Sequence, residues 1–208
     1  MLEHKGIPYR PVKLGVARHG LTLRARGYPG RTVPALRIDG RRVQTNREIA
    51  RCLDELRPEP PLFPADPEAR SEVEAAEQWA DDVLQPTARR LAIAAVTDGG
   101  VDALVDRGDS GSLGYILYRS AWLRQRMMRP ISRYWNVTEE QHREDLAALP
   151  GLLDRIDGWI DSGVLGGAPP NAADFQTAPS VALVLYVREL RPQIERRPVA
   201  ALAKRLVR

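Results

Sequence analysis

Apolar residues recur along this chain in two rhythms. In the first stretch they alternate over short spans, as in Ile7–Leu14 and in Leu36 and Ile38; from residue 45 onward they fall three and four apart. Alternation predicts strands, and the longer rhythm predicts helices with one apolar face. Residues 1–6 read as the last turn of a helix stopped by Gly6. Ile7–Leu14 reads as a strand whose Pro8 and Pro11 place it at a sheet edge. Gly15–Thr32 is a Gly/Arg-rich connection with room for one short helix around Leu21–Arg26. Thr32-Val33-Pro34-Ala35-Leu36 then reads as a turn entering a short strand. Asp39-Gly40 supplies a tight turn and Arg41-Arg42-Val43 returns as the second arm of a hairpin.

The helical rhythm begins at a capping box, Thr45-Asn46-Arg47-Glu48, followed by Ile49, Cys52, Leu53 and Leu56 on one face. Four prolines between Pro58 and Pro64 break both kinds of structure and mark a stiff connector over 58–65. Asp66-Pro67 opens the next helix, which runs through Val73, Ala76, Trp79, Ala80 and Val83, with a kink at Pro86, to about Val96. A helix over Leu113 to about Met128 carries Tyr115, Tyr118 and Trp122 roughly on one side. Thr138-Glu139-Glu140-Gln141 caps a helix that passes or bends at Pro150 and ends near Ser162-Gly163. Asn171-Ala172-Ala173-Asp174 is a third box, before a buried helix over Phe175–Leu190, and Pro198–Val207 reads as a terminal amphipathic helix.

Composition narrows the possibilities. With 208 residues and 43 % hydrophobic residues the chain can fill a real core, and 28 % charged residues is an ordinary globular value. One cysteine excludes an internal disulfide and fits a reducing compartment, so the cytoplasm is the expected location. The longest apolar run, near Val181–Val187, is too short to cross a bilayer. Net charge is +4, unevenly placed: thirteen Lys/Arg face six Asp/Glu through residue 60, and eighteen face twenty-one beyond it. A basic first part can attract an anion or, more weakly, nucleic acid, although a solvated arginine-rich face accounts for it as well.

Val33-Pro34-Ala35-Leu36, the hairpin and the helix from Asn46 together resemble the thioredoxin-like half of a glutathione S-transferase. The rest of the chain resembles that family's all-helical second half, the third capping box being its most specific mark. The resemblance implies a mainly helical protein in which a truncated thioredoxin-like α/β domain (1–57) and a proline-rich linker (58–65) precede an all-α domain (66–208). In the family a strand and a loop precede the stretch matching Glu3-His4-Lys5-Gly6. That loop carries the serine, tyrosine or cysteine at the glutathione sulfur, so the catalytic residue is expected upstream of Met1.

The same resemblance gives the other roles. If the Val33-Pro34 peptide is cis, Val33 turns its N–H and C=O outward as a rail for the cysteinyl part of glutathione. Thr45 and Asn46 stand where the family has an acidic residue and a serine holding the γ-glutamyl end; Thr45 brings no charge for an ammonium. Tyr115, Tyr118 and Trp122 fall where family members line a pocket for the electrophile, although an aromatic stripe is more often core. The implied co-substrate is glutathione or another small thiol, the implied assembly a homodimer, and the implied role detoxification.

The residues themselves name no catalyst. His4, His19, His142 and Cys52 lack metal-ligand spacing, Cys52 sits on an apolar face as a structural thiol, and no phosphate-cradling motif occurs. Arg124, Arg126, Arg129 and Arg133 with Tyr134 and Trp135 mix charge and aromatics as a nucleic-acid surface does, but they do not all share one helical face, and a solvated helix end accounts for them better. Two readings therefore compete: a thiol transferase acting on small electrophiles, and a non-catalytic transferase-like interaction or structural module.

Overall fold

In the computed structural model, which describes residues 1–14, 19–99 and 120–207, a small α/β layer precedes a larger helical one. The chain opens on a single closed turn. Lys5 N–H donates to Met1 C=O (2.9 Å), Gly6 N–H to Glu3 C=O (3.0 Å) and Ile7 N–H to Leu2 C=O (3.0 Å). Gly6 ends it at φ +61°, a conformation that glycine takes without a Cβ clash. The strand expected over Ile7–Leu14 does not form; among the described residues the sheet has two strands only. Pro8 and Pro11 can donate nothing to a ladder, and Tyr9 and Val12 stand exposed, so no buried face holds the stretch to a neighbour.

Helix α1 (His19–Ala25) occupies the expected short helix. Strands β1 (Ala35–Ile38) and β2 (Arg41–Gln44) pair antiparallel, with Ala35 opposite Gln44 and Arg37 opposite Arg42. Asp39 (φ +47°) and Gly40 (φ +80°) both take left-handed backbone, as a two-residue hairpin loop of this twist requires. Helix α2 (Asn46–Leu56) buries Ile49, Ala50, Cys52 and Leu53. Lys5 is almost fully buried beneath it. Its ammonium donates to Asp54 Oδ1 (2.6 Å), Arg57 C=O (2.7 Å) and Pro58 C=O (3.2 Å), so all three of its donors are used.

The next long run is α3 (Pro67–Trp79), a π segment (Ala80–Leu84) and α4 (Gln85–Asp98), so the irregularity expected at Pro86 lies just ahead of it. Helix α5 is described from Ala121 to Tyr134 and continues past the expected end at Met128. Helix α6 (Glu139–Asp161) runs through Pro150 unbroken. Helix α7 (Ala172–Leu185) is central: α3, the π segment, α4, the short α8 (Arg191–Ile194) and α9 (Pro198–Leu206) all pack against it. One apolar core joins the two layers, from Leu53 and Leu62 through Leu84 and Leu91 to Ile156, Val181 and Ile194. The expected order of an α/β part followed by an all-helical part is what the chain adopts.

Candidate functional site

The best-built polar corner of the α/β layer starts from one buried amide. Gln44, at the end of β2, accepts the Gly30 N–H at 2.8 Å through Oε1 and donates to the Thr32 C=O at 2.6 Å through Nε2. A Cβ at Gly30 would lie 2.7 Å from that Oε1, so the clasp requires glycine. It fixes the chain one residue before Val33. The Val33–Pro34 peptide is cis, Val33 is 57 % exposed, and among the described residues its N–H and C=O take no hydrogen bond.

Pro34 C=O accepts the Thr45 N–H at 3.3 Å, which seats the turn against the start of α2. Four of the sequence-predicted residues, Val33, Pro34, Thr45 and Asn46, are thereby brought to one place. Thr45 has φ +74° and ψ 148°, a backbone region costing a β-branched residue on the order of 1–3 kcal/mol. Its Oγ1 accepts the Glu48 N–H at 3.3 Å. The expected capping box closes only halfway: Glu48 Oε2 faces the Gln44 N–H at 3.4 Å, because the Thr45 N–H is already given to Pro34. The result is an open backbone edge beside the positive end of a helix. An extended, anionic, peptide-like ligand fits that combination.

Behind this corner Arg47 and Arg51 converge on Glu77 of α3, which is 1 % exposed. Arg51 donates to Glu77 Oε2 at 2.9 Å and Arg47 Nε lies at 3.6 Å. Burial pushes the Glu77 carboxyl above its ordinary value, while the two guanidiniums pull it back part of the way. This carboxylate joins the start of α2 to the helical layer. Sequence reading missed it, as it missed Gln44, since a lone polar residue on a helix or strand gives no periodic signal.

The other predicted residues are placed differently. Tyr115 and Tyr118 lie outside the described residues. Trp122 is 70 % exposed in the first turn of α5, with the Arg126 guanidinium 5.8 Å from its ring centroid. Cys52 is buried, consistent with a structural thiol. Among the described residues no group of three or more His, Cys, Asp or Glu side chains could hold a metal ion, and no helix is long and apolar enough to cross a membrane.

Comparison with known proteins bears on the fold that carries this corner. Residues 1–61 match the family model of the glutathione S-transferase N-terminal domain. A solved glutathione S-transferase from Rhodospirillum rubrum F11 is 19 % identical and superposes with a TM-score of 0.55, covering 95 % of this chain and 81 % of its own. The beta-etherase LigF from Sphingobium sp. strain SYK-6 is 18 % identical with a TM-score of 0.60, covering 99 % and 90 %. No curated protein matches the chain. The resemblance to glutathione S-transferases read from the sequence therefore holds for both the first 61 residues and the fold.

Proposed function

Starting from a chain with the glutathione S-transferase fold, we propose that it is a glutathione transferase-like protein that uses a thiol to conjugate or reduce small electrophiles. The observation that carries this reading is the Thr45 N–H to Pro34 C=O bond (3.3 Å), which sets the open Val33 backbone beside the start of α2. Val33 would pair with the cysteinyl backbone of glutathione as a sheet edge pairs with a strand. Asn46 would donate to the γ-glutamyl carboxylate, which the positive end of α2 also favours. Thr45 would offer a hydroxyl but no charge to the ammonium, which weakens the grip on glutathione relative to a carboxylate there and leaves room for another small thiol.

The chemistry is that of an activated sulfur. A donor at the thiol lowers its pKa, the thiolate attacks the electrophilic atom, and a thioether forms as the leaving group departs. In this reading residues 1–57 hold the thiol and residues 66–208, joined through 58–65, hold the electrophile, with Trp122, Tyr115 and Tyr118 as candidates to line its pocket. A homodimer in the cytoplasm is the assembly and place it implies.

Calorimetric titration with glutathione tests the proposal. The wild-type chain is expected to bind, to be retained on a glutathione resin and to be released by free glutathione. Asn46→Ala, which removes one hydrogen bond to a charged group, is expected to weaken binding about tenfold. A folded protein that binds neither glutathione nor another small thiol ends this reading and leaves the non-catalytic module.

A further inference from the structure

Where α5 meets α6, an open cavity of about 720 Å³ is lined by Gln125, Arg129, Ser132, Arg133, Asn136 and Thr138, together with Thr97 and Val137. Among the described residues no acidic side chain lines it. Arg126, Arg129 and Arg133 are spaced three and four apart, so they share one stripe of α5, which Trp122 extends by one turn. Like charges at that spacing repel one another along a helix.

Three arginines elsewhere in the chain are neutralised at short range. Arg51 meets Glu77 at 2.9 Å, Arg90 meets Asp145 at 2.6 Å, and Arg197 meets Asp154 at 2.7 Å. Among the described residues neither Arg129 nor Arg133 has an acidic partner. The corner itself is held firmly. Val137 N–H donates to Ser132 C=O at 2.8 Å, and Asn136 takes φ +53° to turn the chain into α6. Thr138 Oγ1, on the cavity wall, caps that helix by accepting the Gln141 N–H at 3.1 Å.

We propose that this cavity binds a small molecule bearing two or more phosphoryl groups. Two guanidinium forks one helical turn apart match the oxygens of adjacent phosphoryl groups bidentately. Ser132, Gln125 and Asn136 add hydroxyl and carboxamide donors, and the volume admits an organic portion as well as the phosphoryl groups. The inference uses no part of the thiol site.

Inorganic pyrophosphate titrated calorimetrically into the full chain is the test. Wild type is expected to bind at one site, more weakly as salt rises. Arg129→Ala with Arg133→Ala is expected to reduce affinity at least tenfold. Arg37→Ala with Arg42→Ala, which removes an equal charge from the hairpin, is expected to leave it within twofold. Arg129→Lys with Arg133→Lys keeps the charge but not the forks, and is expected to lose at least threefold; this pair decides the matter if the alanine pair does not fold. No binding by wild type, equal losses in the hairpin pair, or an unchanged lysine pair would overturn the proposal.

Discussion

Glu77 shows what a single residue can conceal in a sequence. On its own helix it is one acidic position among several in a polar run, and nothing in α3 marks it as buried. Its burial comes from packing against other elements, and α2 brings Arg47 and Arg51 to its carboxylate. Cys52 was legible because its apolar neighbours on α2 already form a face; Glu77 was not, because its burial is tertiary. The carboxyl keeps its proton above the ordinary value of 4.5, chiefly through burial. Between the unfolded and folded values the native chain therefore binds more protons, and unfolding free energy falls as pH rises through that window. Glu77→Gln removes this contribution. Thermal melts at about pH 4 and about pH 7 are expected to show a smaller drop in Tm for the variant than for wild type.

At the scale of elements, local motifs were readable and long-range pairing was not. The three capping boxes are spelled within four residues each, and every one marks a helix start. They close to different degrees: Asn171 and Asp174 bond reciprocally, whereas Thr138 and Thr45 supply the forward bond only to their own helices. Asp174 is wholly buried and accepts from both the Gly166 N–H (2.7 Å) and the Asn171 N–H (3.0 Å). Asn171→Ala is expected to cost about 1 kcal/mol, the ordinary loss of a cap. Asp174→Ala strands two donors and is expected to cost roughly 2–5 kcal/mol. Chemical denaturation of the two variants gives the ranking. The misread stretch is Ile7–Leu14, because a strand exists only where a neighbour pairs with it, and alternation alone cannot supply one. At the candidate site, likewise, the turn at Val33-Pro34 and the start of α2 were legible from their motifs, but the Gln44 clasp that fixes the chain before Val33 is a contact across many residues.

Across the whole molecule, a few polar ties join segments far apart in the chain. Lys5 links the opening turn to the end of α2 and the segment after it, about which its own local sequence says nothing. Lys5→Ala leaves Asp54 without its cation and two carbonyls without a donor, and is expected to lower the unfolding free energy by roughly 3–5 kcal/mol, measured in urea. The π segment has a consequence for how the largest layer fits together. The buried stripe Ala76, Ala80, Leu84, Ala88 advances in three successive steps of four residues. On a regular helix each such step drifts about 40° around the axis, so the stripe would spiral away from whatever it touched. The wider turn at Ala80–Leu84 absorbs that drift. It acts as a phase correction, and it keeps each part of the run from Pro67 to Asp98 in contact with α7.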